Sequence, residues 1–107
     1  MTSFEDRERA EEAKFAHDAE MGFRIQARRN RLLGEWAAER MHLSAPEREA
    51  YAKAVVQADF EEAGDEDVIR KLLGDLTSAG VETDEAEVRA ALEAKQIEAR
   101  RALLGEV

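Results

Sequence analysis

The stretch MGFRIQARRNRLLGEWAAERMH, residues 21–42, is the most strongly patterned part of the chain. Its apolar side chains recur at helical spacing: Ile25, Leu32, Leu33, Trp36, Ala37 and Met41. A stripe of this kind faces a core, so the pattern predicts a helix on which other helices pack. This helix either begins near Gly22 or continues an earlier helix through it. Gly22 is a possible hinge, because a glycine inside a helix costs about 1 kcal/mol relative to alanine.

The clearest boundary in the chain follows at residues 44–47, with the sequence SAPE. Ser44 is placed to accept an N–H from Glu47 in a capping box, and Pro46 is tolerated in the first turn of a helix. We therefore expect the first body helix to end near Leu43 and a second one to begin after Ser44. Its apolar positions are Tyr51, Ala52, Val55, Val56 and Phe60. Gly64 suits a left-handed position at its end.

Two more helices are predicted in the second half of the chain. The third starts at three carboxylates, residues 65–67, which a helix N-terminus favours. Its stripe consists of Val68, Ile69, Leu72, Leu73 and Leu76. After a turn around Gly80, Thr83 or Asp84 caps the fourth helix, with Glu87 completing a box with Asp84. That helix ends at Gly105, and its apolar positions are Val88, Ala91, Leu92, Ala99 and Leu103.

Composition supports an all-α protein. The chain of 107 residues contains one Pro and six Gly, and 38 % of its residues are charged, which favours helices over strands. Short connections between amphipathic helices favour antiparallel neighbours. We therefore predict a small four-helix bundle over residues 21–107, preceded by a flexible, partly helical arm over residues 1–20.

The predicted arm favours a helix but has little to bury. Ser3 is a good N-cap, and no Gly or Pro interrupts the chain before Gly22. Apart from Met1, only Phe4 and Phe15 are large and apolar, and several glutamates lie between them on or near the same face. Burial would not offset the ordering entropy, so we expect the free arm to be disordered or a fraying helix that folds on a partner.

The net charge of the chain and the absence of cysteine and of long apolar runs restrict the classes of function that the protein can have. The net charge is −9, from 16 basic and 25 acidic side chains, and the acidity is concentrated in the second half. This argues against a nucleic-acid binder. Cysteine is absent, and no apolar run has the length of a membrane span or a signal peptide. We expect a cytoplasmic protein that does not insert into the membrane.

The sequence shows no catalytic apparatus. His17 and His42 lack zinc-ligand spacing, and ordinary solvated histidines are the better interpretation. The acidic run of residues 59–67 does not alternate oxygen ligands as a calcium loop does. No phosphate-binding loop and no nucleophile elbow is present. We therefore expect no enzyme, no catalytic residues, no metal and no required cofactor.

A basic cluster is more informative. Arg24, Arg28 and Arg31 share one helical face, whereas Arg29 lies on the apolar side and needs a partner. We expect Arg29 to pair with a carboxylate of residues 59–67 at the edge of the core. We interpret Trp36 as a core residue. The alternative is a nucleotide sensor that binds ATP or ADP weakly through Arg28, Arg29 and Trp36.

Four ordered blocks resemble one protein family. They are FEDRERA (4–10), EAKFAHD (12–18), ARRNRLLGEWAA (27–38) and ADFEEAGDEDV (58–68). Together they are similar to the zeta subunits, the small inhibitor proteins of the F-type ATP synthase in alphaproteobacteria. The resemblance extends from about Thr2 to Leu73, and beyond it only helical character and length agree.

The resemblance implies a regulatory role. It implies that the N-terminal arm inserts at a catalytic interface of the alpha and beta subunits, beside the gamma subunit of the central stalk, and blocks ATP hydrolysis. On this chain Phe4 and Phe15 would be apolar anchors, and His17 would lie near the end of the arm. Arg7, Arg9 and Lys14 would face acidic groups of the enzyme. The protein would then be peripheral to the inner membrane through the ATP synthase.

Overall fold

A computed structural model of the chain consists of four α-helices: α1 (Ser3–Arg40), α2 (Ala45–Glu61), α3 (Asp65–Ser78) and α4 (Glu85–Leu104). It describes the backbone of residues 3–61 and 64–105, and the side chains of residues 18–60 and 64–105. This part of the chain contains no strand. The predicted all-α class and the four-helix fold are confirmed.

The first helix continues through Gly22 without a break. It therefore continues an earlier helix through Gly22 and does not begin there. Its 38 residues correspond to a length of about 57 Å, compared with about 30 Å for the 20 residues of α4. The division of the chain at residue 20 therefore does not coincide with a helix boundary. Whether residues 1–20 act as a separate arm stays a prediction.

Both helices that pack most extensively on α1 run antiparallel to it. Gln26 and Arg31 of α1 bind Asp59 and Glu49 of α2, so increasing numbers on one helix meet decreasing numbers on the other. On α4, Gln96 and Glu87 likewise contact Arg29 and Arg40 in reverse order. By this register the C-terminal ends of α2 and α4 lie beside α1 residues in the low twenties. The N-terminal part of α1 extends beyond both ends.

A single core holds the four helices together. It is formed by eight buried side chains: Leu33, Ala37, Val55, Val68, Ile69, Leu72, Leu76 and Val88. Trp36 packs against this core from its edge and is half-buried. This packing confirms the prediction that Trp36 belongs to the core. Among the described side chains, every buried core residue lies between Ile25 and Ala99.

Most predicted helix ends are confirmed. The Ser44 N–H donates to Glu47 Oε1 over 2.9 Å, and the Glu47 N–H donates to Ser44 Oγ over 3.3 Å. The pKa of Glu47 is lowered, mainly because its carboxylate accepts from the Ser44 N–H and also because it lies beside the Ser44 hydroxyl. Asp84 caps α4 by accepting from the Glu87 N–H at 2.8 Å. At the other end of α4, Gly105 is left-handed, with φ 71° and ψ 19°.

The prediction for Gly64 was wrong. The second helix ends at Glu61, and Gly64 is the N-cap of α3, with φ 105° and ψ 152°. Its positive φ favours glycine, but the backbone there is extended and does not close a helix. The first helix also ends three residues earlier than Leu43, at Arg40, and His42 adopts φ 58° in the turn that follows.

Candidate functional site

The residues predicted to contact a partner lie near the start of α1. Phe4, Arg7, Arg9, Lys14, Phe15 and His17 fall within its helical range. Their side chains lie outside the part that the structure describes, so their assignment to a partner surface stays a prediction. Among the α1 side chains that are described, residues 18–20 are exposed and Ile25 is the first buried one.

Arg29 lies in the interior, as its position on the apolar side predicted. It is 5 % exposed. Its Nη2 lies 3.0 Å from Asp65 Oδ1 and 3.9 Å from Asp59 Oδ2. The Nε atom donates to Asn30 Oδ1 at 3.0 Å, and Nη1 lies 3.5 Å from Gln96 Oε1. The predicted pairing with the acidic run is confirmed, and one guanidinium connects α1 to the other three helices.

Asp59 is the buried carboxylate of this cluster, with a side chain that is only 6 % exposed. Its Oδ2 accepts hydrogen bonds from the amides of Gln26 and Asn30. Its Oδ1 is buried and accepts none, and Arg29 Nη2 likewise makes no aligned hydrogen bond despite its short distance to Asp65. A buried polar atom without a partner costs free energy. Two carboxylates against one guanidinium leave this cluster with a net charge of about −1.

Next to Asp59, two aromatic rings lie on the surface. Phe23 of α1 and Phe60 of α2 are 54 % and 56 % exposed, and their ring centroids are 4.9 Å apart at an interplanar angle of 59°. They line a surface cleft with about 310 Å³ of empty space, part of it open to solvent. We call it the aromatic cleft, and its lining residues are Phe23, Gln26, Ala27, Asn30, Val56, Asp59 and Phe60.

The aromatic cleft does not follow from the sequence pattern, which predicts Phe60 on the apolar stripe of α2 and gives Phe23 no role. The prediction for Phe60 is wrong, because its ring is 56 % exposed. The signal that could have revealed the cleft is the run of acidic residues around Phe60, because a ring at the charged end of a helix is seldom covered by a core.

The basic face of α1 is largely paired with carboxylates. Arg24 binds Glu20 at 2.7 Å, within the same helix. Arg31 reaches across to Glu49 of α2 at 2.6 Å, and this hydrogen bond lowers the pKa of Glu49. Arg28 is exposed. These are surface ion pairs of small individual energy, which orient the helices more than they stabilise them.

A second cleft lies beside Trp36, and it does not match a nucleotide. Its lining residues are Leu32, Glu35, Trp36, Glu39, Arg48, Lys95 and Glu98. Three carboxylates accompany two basic groups there, whereas a nucleotide phosphate requires an excess of positive charge. Arg28 and Arg29 do not line this cleft. The structure thus does not bring Arg28, Arg29 and Trp36 together, and the nucleotide interpretation stays an alternative that no contact supports.

Two further findings concern residues 18–60 and 64–105. Within these ranges no group of three His, Asp or Glu side chains is placed to hold a metal ion, and His42 is exposed. No helix of the described chain has the length and apolarity that crossing a membrane requires.

Comparisons with known proteins agree with the fold and assign a family. The family model described as "ATPase inhibitor subunit zeta" matches residues 1–102. A structure solved by solution NMR is 50 % identical in sequence, with a TM-score of 0.70. That similarity covers 81 % of this chain and 99 % of the NMR chain. Comparison with curated proteins gives no significant match.

Proposed function

Since this chain belongs to the ATPase inhibitor subunit zeta family, we propose that it inhibits ATP hydrolysis by an F-type ATP synthase through binding alone. The observation that carries the proposal is the family match over residues 1–102, which includes the first twenty residues and all but the last residues of the four-helix body. In this proposal residues 1–20 insert at a catalytic interface of the alpha and beta subunits, beside the gamma subunit of the central stalk.

The shape of the molecule supports insertion of one end only. The molecule extends over 67 × 29 × 26 Å, and its long dimension is accounted for mainly by α1, at about 57 Å. A single helix is about 10–12 Å wide with its side chains, whereas the body is more than twice that width. A cleft between subunits that admits the end of α1 would therefore stop the body at its mouth.

The proposed roles of the arm side chains follow from their chemistry. Phe4 and Phe15 bury their rings in the cleft between the enzyme subunits and supply most of the affinity, since a few aromatic anchors usually dominate an interface. Arg7, Arg9 and Lys14 pair with acidic groups of the enzyme. His17 lies near the mouth of the cleft. This protein would contact the membrane only indirectly, through the ATP synthase.

The test is a titration of ATP hydrolysis by the purified cognate ATP synthase. Full-length protein is compared with the chain that lacks residues 1–20, which retains every buried core residue from Ile25 to Ala99. The matched control is Ile97→Gln, which removes an exposed apolar side chain of α4, 48 % exposed, and leaves the arm intact.

We expect full-length protein and Ile97→Gln to inhibit equally and the truncated chain to be folded but inactive. Inhibition retained by the truncated chain would refute the role of the arm. A folded full-length protein that leaves hydrolysis unchanged at saturating concentration would refute the function itself.

A further inference from the structure

The aromatic cleft contains two large rings that are not covered by the body. Single exposed apolar residues are common on proteins, but two rings in contact, each more than half exposed, form a continuous apolar patch. Val56 and Ala27 extend the patch between the two helices. A patch of this kind marks a surface that another molecule covers.

The charge beneath the rings selects the chemistry of that molecule. Asp59 lines the cleft, its Oδ1 accepts no hydrogen bond, and the neighbouring cluster carries one more carboxylate than guanidinium. A purely apolar partner would seal this charge further from water, which costs free energy. An acidic partner would be repelled. A cation with flat apolar faces gains from both features, since it can stack on the rings while the net negative charge of the cluster behind them attracts it without direct contact.

The position of the cleft identifies the occupant. Phe23 lies on α1 only three residues after Glu20, which is about 4.5 Å along the helix axis. A protein that holds residues 1–20 must therefore lie directly beside the aromatic cleft. Resting on the proposed function, we propose that the aromatic cleft is a second docking surface, which receives an arginine side chain of the ATP synthase catalytic sector.

The central variant for the test is Phe60→Gln, which removes one ring at a surface position near the C-terminal end of α2 and keeps a good helix former. Ile97→Gln is its control, because it removes a similarly exposed apolar side chain from α4. Two quantities are measured for each full-length protein: its dissociation constant for the ATP synthase catalytic sector, from anisotropy of a labelled chain, and its half-inhibitory concentration. Sedimentation of the free protein reports self-association.

We expect Phe60→Gln to weaken binding and inhibition about tenfold while Ile97→Gln behaves as wild type. The wild-type dissociation constant should also rise more steeply with salt than that of Phe60→Gln, because the stacked ring holds a basic side chain close to the negative cluster. Asp59→Asn, which replaces the carboxylate by an amide of the same shape, should flatten the salt dependence in the same way. The salt comparison for Phe60→Gln stands even if Asp59→Asn does not fold.

Three outcomes would overturn the proposal. Equal binding by Phe60→Gln and Ile97→Gln would show that the cleft is not part of the interface. A tenfold loss of affinity in Phe60→Gln with the same salt dependence as wild type would indicate an apolar occupant. Self-association that is lost only in Phe60→Gln would assign the cleft to a second copy of the chain. If wild type binds the catalytic sector without inhibiting it, the proposed function fails, and the binding data still test the cleft separately.

Discussion

Replacing Gly34 by alanine tests the closest approach of two helices in the body. A Cβ at this position would lie 2.8 Å from Ala52 Cα and 3.2 Å from Val55 Cγ2. Because Ala52 Cα belongs to the backbone, it cannot rotate away, and α1 and α2 must separate by several tenths of an ångström. Overpacking of this kind costs about 1–3 kcal/mol. The higher helix propensity of alanine stabilises the protein by about 1 kcal/mol, so the net loss of folding stability is up to about 2 kcal/mol.

Gly74→Ala is the matched control for this prediction. Gly74 lies inside α3, and a Cβ there would meet nothing within 4 Å. The substitution gains the same helix propensity without a clash and should stabilise the protein by up to about 1 kcal/mol. The propensity contributions cancel in the comparison, so the difference between the two variants isolates the clash at about 1–3 kcal/mol.

The assay is urea unfolding followed by circular dichroism, with thermal melting as a second measurement. Each 1 kcal/mol of difference corresponds to about 4–8 °C in melting temperature for a domain of this size. We expect Gly34→Ala to melt below wild type and Gly74→Ala above it. If both substitutions stabilise the protein by similar amounts, α1 and α2 are not in close contact at Gly34, and the close packing of these two helices is refuted.

Two further predictions concern capping and pH. Ser44→Ala should destabilise the protein by about 1 kcal/mol and raise the lowered pKa of Glu47 only part of the way to its usual value, because the N–H of residue 44 still donates to the carboxylate; carboxyl NMR titration measures this shift. The pKa of Glu47 is lower in the folded state than in the unfolded state. This side chain therefore stabilises the fold at pH values above its unfolded pKa, and the stabilisation is lost as pH falls through its folded pKa. The single Tyr51 donates to Asp75 Oδ2 at 2.7 Å, and burial together with this carboxylate raises its pKa. The phenolate absorbance of Tyr51 should appear near pH 10 only in denatured protein. The native state should lose stability as pH rises above about 10, because the unfolded state releases this proton more readily. Titration of Tyr51 near pH 10 in native protein would refute its burial.

The helices and their caps could be predicted because they depend on neighbours in sequence. A capping box joins residues three apart, so Ser44 and Glu47 reveal it without knowledge of the fold. The partner of Arg29 could be predicted for a different reason. A guanidinium on the apolar side of a helix must be neutralised, and residues 59–67 offer the densest set of carboxylates in the chain.

The aromatic cleft and the continuity of α1 could not be predicted, because both depend on distant parts of the chain. Whether Phe60 is covered depends on which parts of the chain pack beside the end of α2, and the spacing of residues within α2 does not contain that information. The propensity cost of Gly22, about 1 kcal/mol, is too small to decide whether a helix stops there. Gly64 shows the same limit, because a glycine between two helices can end the first or precede the second.

The cluster around Arg29 bears on how the proposed arm is held. Arg29 fixes α1 to α3 through Asp65, and Arg31 fixes it to α2 through Glu49. These contacts lie within about 17 Å, along the helix axis, of residue 20, and α1 runs between them without interruption. An arm that continues such a fixed helix has its direction set by the body. Under the proposed insertion no joint at Gly22 would need to become ordered, which would lower the entropy lost on binding. The aromatic cleft, on the same helix just after this segment, would hold the enzyme at the point where the direction of the arm is set.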